Sequence, residues 1–144
     1  MLDAYALEAY LADEMAAADA VEDLVLSGEQ VLMSGVNLAE TLDRMMRLQG
    51  VPREVLEADL LALGLTISAV DNEMAFDAAA LRAAHYHRTR RAVSIADCCA
   101  AALALARDAP LATSDPALLG LVADENGRYI ALPDSRGQTW SPPA

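Results

Sequence analysis

Apolar runs of β type alternate with stretches of helical periodicity along most of the chain, the arrangement expected of βαβ units and a mainly parallel sheet. The strand candidates are Met1 to Asp3, Gln30 to Ser34, Leu65 to Val70, Leu111 to Ser114 and Arg128 to Leu132, the first of them very short. Helices fill the spaces between. Asn37-Leu38-Ala39-Glu40 and Ser94-Ile95-Ala96-Asp97 each set a capping residue three places ahead of an acid, a pattern that predicts helix starts at Asn37 and Ser94. Leu38, Leu42, Met45 and Met46 share one apolar helical face, Gly50 and Pro52 mark a stop and a new start, and the next helix runs to about Leu63 before Gly64. Met74, Ala75, Ala78, Ala79 and Leu81 predict a helix continuing toward Tyr86. The helix from Ser94 to Arg107 is apolar on nearly every side, which suits a central element. Beyond Leu132 the tail, with Pro133, Gly137, Pro142 and Pro143, is rich in turn residues and predicted to fray.

Composition narrows the classes. With 144 residues, 55% of them hydrophobic, the chain suits one domain with a substantial core. Its longest apolar stretch, Cys98 to Ala106, is far short of the roughly 20 residues of a membrane span, and no basic leader precedes a signal-like segment, so a cytoplasmic protein is expected. The two cysteines, Cys98 and Cys99, are adjacent within a helical pattern, which provides neither a disulfide framework nor a spaced zinc site. Net charge is −12, and all ten basic residues are arginines. Such a surface repels polyanions over a Debye length of about 8 Å, so any nucleic-acid chemistry must be local.

Four acids supply a candidate for that locality. Asp3, Glu40, Asp97 and Asp115 each stand where an apolar run gives way to a helix start. In a parallel α/β sheet such positions emerge on one edge, where ligands collect, and converging carboxylates become favourable once a cation such as Mg²⁺ or Mn²⁺ offsets their repulsion. Spacing leaves a second reading open. Acids are favoured at helix N-termini in their own right, so Glu40 and Asp97 can be capping-box acids and Asp115 a cap before Pro116. Asp71 occupies the same strand-to-helix context, and spacing does not separate it from the four.

The segments Leu2-Asp3-Ala4-Tyr5-Ala6-Leu7, Val36-Asn37-Leu38-Ala39-Glu40, Ser94-Ile95-Ala96-Asp97-Cys98 and Leu111-Ala112-Thr113-Ser114-Asp115 resemble, in order and spacing, the four sequence blocks of PIN domains. More narrowly, the chain resembles the VapC-type toxins of bacterial toxin–antitoxin pairs from Met1 to about Leu132. The resemblance implies a three-layer α/β fold, with a central, mainly parallel sheet of about five strands flanked by helices, over residues 1–132, and a flexible tail over 133–144. It implies a metal-dependent endoribonuclease in which Asp3, Glu40, Asp97 and Asp115 hold Mg²⁺ or Mn²⁺, with Thr113 or Ser114 as a supporting hydroxyl. It also implies a cognate VapB-like antitoxin and a homodimer. Asp71 lies outside the blocks and is left as a helix cap. The rival is a PIN-like module that binds protein without cutting RNA. A phosphatase or phosphoacceptor with a nucleophilic aspartate ranks lower, because Asp3-Ala4-Tyr5 lacks a second nearby acid.

Two further features bear on substrate. Arg82, Arg88, Arg90 and Arg91 form the one basic patch and lead directly to Asp97; arginine suits phosphate, while a solvated helix end balancing nearby acids is the alternative. His85 and His87 are two apart, point to different faces on a helix and make a poor metal pair, which leaves them as surface or helix-end residues.

Overall fold

Strands and helices follow one another as the periodicity predicts, and the computed structural model describes residues 1–13 and 15–142, the side chain of Met15 excepted. The elements are α1 (Ala4–Leu11), α2 (Met15–Leu26), β1 (Leu32–Ser34), α3 (Gly35–Arg47), α4 (Arg53–Leu63), β2 (Thr66–Ser68), α5 (Asn72–His85), α6 (Ile95–Ala106), β3 (Leu111–Thr113), α7 (Pro116–Asp124) and β4 (Tyr129–Ala131). Each strand is a three-residue core of the longer run predicted for it.

The strands pair in parallel, β1 with β2 in the register Met33 to Ile67, and β3 with β4 in the register Ala112 to Ile130. Between the two pairs lies Leu2, which makes single parallel bridges to Met33 and to Ala112. The continuous sheet of about five strands is therefore not seen; there are two two-stranded ladders with one residue between them. The reason lies in the brevity of the first run. Leu2 N–H donates to Leu32 O at 2.8 Å and Ala112 N–H to Met1 O at 2.8 Å, but Asp3 at once becomes the N-cap of α1 and ends the extended segment.

Alternation along these strands sends neighbours to opposite faces. Leu111 packs with Cys98, Leu103, Leu118 and Leu121 on the α6 and α7 side, whereas Leu2 and Ala112 pack with Ala6 and Val21 on the α1 and α2 side. Met33 joins Leu7 and Leu63, which brings α4 to that second face. Every residue from Cys98 to Ala104 is buried, so α6 is the central helix its composition predicted, and Cys98 and Cys99 are buried free thiols. Burial pushes the Cys98 thiol up to about 11, with Asp97 adding to the effect.

Helix α3 departs from expectation. Its N-cap is Ser34, whose hydroxyl accepts from Asn37 N–H at 3.1 Å, so the helix starts at Gly35 and Glu40 falls in its second turn. Asn37 is needed inside instead. The buried stripe of α3 is Asn37, Thr41 and Met45, with Met46 exposed. Asn37 Nδ2 donates to Ala96 O at 3.2 Å, and the Thr41 hydroxyl lies 3.1 Å from Ala4 O and 3.0 Å from Asn37 O. This polar seam ties α3 to the first turns of both α1 and α6.

The segment after β4 folds back on itself. Asp134 N–H donates to Gln138 O at 2.8 Å, and Trp140 meets Tyr129 edge to face with centroids 5.5 Å apart. Pro143 and Ala144 of the predicted tail lie outside the described residues.

Because Leu2 is 1% exposed and is the bridge between the two ladders, Leu2→Ala is expected to cost about 2–5 kcal/mol in denaturant unfolding. A loss below about 1 kcal/mol would show that the ladders hold together without it.

Candidate active site

The parallel elements end at Asp3, Ser34, Ser68 and Thr113, all on one edge. Three of the four predicted acids gather there as helix-start residues. Asp3 caps α1, its Oδ1 accepting from Ala6 N–H at 2.8 Å. Asp97 completes the predicted capping box of α6: its backbone N–H donates to Ser94 Oγ at 3.0 Å, and its Oδ2 accepts from Ser94 N–H at 2.6 Å. Asp115 caps α7, Oδ1 accepting from Ala117 N–H at 2.7 Å, with Pro116 in the first helical position. The capping reading of Asp97 and Asp115 is thus correct as local structure.

Environment separates these acids from an ordinary cap. Asp71 plays the same local part for α5 but is exposed. Asp3 is 4% exposed, and its carboxyl is pushed up to about 7, first by burial and further by Asp97 and Asp115. Hydrogen bonds from the Thr113 side chain and from Ala6 N–H pull the other way. Burial also raises Asp115, with Asp97 adding to it. Thr113 is buried between the two, and its Oγ1 accepts from Asp115 N–H at 3.0 Å. Ser114 is half-buried beside it.

Glu40 stands apart from this group. From the second turn of α3 its Oε1 accepts from Arg44 Nη2 at 2.6 Å, and Arg44 Nη1 reaches Glu8 Oε2 of α1 at 3.0 Å. The link from Glu40 to the aspartates runs through Arg44, which lies within electrostatic reach of Asp97. Sequence reasoning passed over Arg44 and Glu8; the four-residue spacing of Glu40 and Arg44 was a readable signal, whereas the Glu8 contact needs the fold.

The donor set is made of carboxylate oxygens with crowded negative charge, which suits a hard divalent cation. Each aspartate spends an oxygen on its helix cap. Among the described residues no group of three or more His, Cys, Asp or Glu side chains is disposed to hold a metal ion. The chemistry fits a cation, while the ligating geometry is not closed in this conformation.

The basic patch divides in two. Arg82 Nε donates to Val93 O at 3.2 Å and its guanidinium lies 4.4 Å from the Tyr86 ring centre. Arg91 is half-buried and donates to Asp124 Oδ2 at 2.6 Å and to His85 Nδ1 at 2.9 Å. His87 and Arg91 exchange backbone hydrogen bonds of 2.9 Å, closing a tight loop whose tip carries Arg88 and Arg90. The His87 ring caps that loop from within. Arg88 and Arg90 are exposed, and neither has an ion pair among the described residues.

Parallel strands flanked by helices, with the buried Asp3 and the half-buried Asp97 and Asp115 where the strands end, define an α/β domain whose acids gather at the edge where ligands collect. The chain belongs to the PIN domain family, whose model matches residues 1–122. PIN domains are a superfamily of nucleases and typically use divalent metal ions. Comparison with curated proteins found no match.

Asp3 gives the site a pH signature. Between the ordinary 3.8 and about 7 the folded state keeps a proton that the unfolded chain has released. Its stabilising contribution is therefore complete below that window and lost as the pH rises through it. Asp3→Asn, neutral throughout, is expected to melt several degrees above the parent near about pH 8 without divalent cation, the gain vanishing near about pH 4. A parent that melts higher than the variant at the upper pH contradicts this account of the carboxyl.

Proposed function

We propose that the chain is a metal-dependent endoribonuclease, the toxin component of a VapBC-type toxin–antitoxin pair. The observation that carries the reading is the buried Asp3 carboxyl, within electrostatic reach of Asp97 and Asp115 at the edge where the strands end, in a chain of the PIN family. Asp3, Asp97 and Asp115, joined by Glu40, are the residues that would hold Mg²⁺ or Mn²⁺. When bound, such an ion supplies Lewis acidity that activates water and offsets charge on the scissile phosphate.

The chain's own residues set up that chemistry. The Thr113 hydroxyl bonds the Asp3 carboxyl and accepts from the Asp115 backbone N–H, tying the Asp3 carboxyl to the start of α7. The capping box fixes Asp97 on the rigid start of a buried helix. These supports keep like charges near one another before any substrate arrives, on rigid elements of the fold. The tip arginines Arg88 and Arg90 stand a few residues before Asp97 and are proposed to receive backbone phosphates, while Arg82 and Arg91 hold the loop in place.

The narrower VapC assignment draws on the four sequence blocks. A VapB-like antitoxin and a second copy of the chain are the proposed partners, supported by exposed apolar side chains at Met46, Leu48, Val55 and Leu61. No helix among the described residues is long and apolar enough to cross a membrane, and a cytoplasmic location is proposed. The rival reading, a PIN module without catalysis, is favoured by the engagement of all three aspartates as helix caps.

Asp97→Asn keeps an oxygen for the Ser94 cap, so the variant is expected to fold as the parent does, fail to cleave RNA and lose the parent's thermal shift with Mn²⁺. A folded variant that cuts RNA at the parent rate would refute the assignment. A parent that neither cuts nor responds to Mn²⁺ would establish the rival.

Alanine at both Arg88 and Arg90 is expected to weaken RNA binding and to flatten the slope of log affinity against log salt by up to about 1.4, two single-strand phosphate contacts. An unchanged slope removes the loop from the substrate path.

A further inference from the structure

Arg44 sits one turn beyond Glu40 on α3, and its guanidinium fork is divided between two helices. Nη2 donates to Glu40 Oε1 at 2.6 Å and Nη1 to Glu8 Oε2 at 3.0 Å. The two carboxylate side chains are only 30% and 19% exposed, and the arginine side chain 38%. An exposed pair at this spacing, such as Arg47 with Asp43 on the same helix, is a surface ornament of little energetic weight. The Arg44 arrangement differs in being shielded, in joining α1 to α3, and in lying within reach of Asp97.

We propose that Arg44 is a resident counter-ion that occupies Glu40 and must release it before a divalent cation can use that carboxylate, so that Arg44 sets the affinity of the site for metal. The inference rests on the metal-dependent reading above and deepens it. Three observations converge on it. Glu40 is the one predicted metal ligand that does not stand with the aspartates, and its carboxylate is held by Arg44. The aspartate group does not close into a ligating set in this conformation. Glu8 gives the guanidinium a second partner, so Arg44 stays ion-paired when it lets Glu40 go.

The competition follows from charge and shape. A guanidinium fork fits two carboxylates at once and makes short, charge-assisted bonds to each. A divalent cation wants the same oxygen and repels the guanidinium that holds it. Lysine keeps the charge but, as a single ammonium on a flexible stem, does not reproduce the fork.

The test is Mn²⁺ binding by calorimetry, without RNA, at fixed pH and ionic strength, on the parent, Arg44→Gln and Arg44→Lys. Both variants are expected to bind Mn²⁺ roughly tenfold more tightly, the equivalent of one charge-assisted hydrogen bond relieved. In the parent, saturating Mg²⁺ is expected to shift the Arg44 Nε–H resonance as Glu40 leaves. Binding seen in the variants but not in the parent supports the proposal most strongly. Tighter binding by Arg44→Gln with Arg44→Lys at the parent level overturns it, since only a long-range field effect would remain. Equal affinity in all three proteins also overturns it while leaving the metal site standing. Absence of Mn²⁺ binding in all three defeats the metal reading, and the counter-ion role falls with it.

Discussion

The buried amide of Asn37 and hydroxyl of Thr41 hold the site's scaffold together. Both lie on the inward stripe of α3, where an apolar side chain would pack more simply; Asn37 donates to Ala96 O in α6, and the Thr41 hydroxyl sits between Ala4 O in α1 and Asn37 O in its own helix. The carbonyls on the other two helices are each adjacent to a site aspartate, Ala96 to Asp97 and Ala4 to Asp3. Both carbonyls also serve as acceptors within their own helices, so removing such a donor forfeits one net hydrogen bond, about 0.5–1.5 kcal/mol, together with the tie between helices. The seam therefore constrains the relative positions of two acids that the sheet does not fix, because the sheet contributes one bridging residue at that point.

Like charge is what the scaffold works against. Helix N-termini offset part of it, since Asp3, Asp97 and Asp115 each accept backbone N–H bonds where the helix dipole favours negative charge, at about 0.3–1 kcal/mol apiece. For Asp3 that help is not enough. Its carboxyl is displaced from 3.8 to about 7, in the direction opposite to the pull of the cap, so burial and neighbouring charge outweigh it. A fold that retains such a group keeps a standing preference for a proton or a cation at that edge. The helix caps and the proposed cation site are in this sense two layers of one arrangement: the caps fix where the oxygens are, and the neighbouring charge decides what they attract.

Much of this was legible in the residues, and the failures share a cause. Three helix boundaries were readable because Ser94 with Asp97, Asp115 with Pro116, and Gly64 as a left-handed stop are local chemistry. The start of α3 was misplaced because Ser34 and Asn37 both offer capping groups, and the choice depends on Asn37 being required by Ala96, 59 residues away. The same distance effect hid Glu8 as a partner of Arg44. The sheet was overestimated for a different reason. Apolar runs mark strands, but three paired residues per strand are all that the short turns into α1, α3 and α7 allow. Asp71 is the instructive case, since its cap geometry matches that of Asp3 and only burial, a property of the whole fold, tells them apart.

The acidity of the chain bears on how such a site meets a polyanion. At −12 the surface opposes RNA beyond contact range, so affinity must come from points where positive charge is both present and unspent. Most arginines are spent: Arg44, Arg47, Arg53, Arg91, Arg128 and Arg136 are in ion pairs, and Arg82 is bound to a carbonyl and a ring. Arg88 and Arg90 are held at the tip of a closed loop by a histidine ring that bonds the loop backbone and leaves the guanidinium groups alone. A loop closed by its own hydrogen bonds would lose little entropy on contact, which is how, on the proposed reading, two charges matter in a field that otherwise repels. On the proposed reading, positive charge at the tip and negative charge at the sheet edge belong together, because a phosphate backbone would need the first to arrive and a cation held by the second to be attacked.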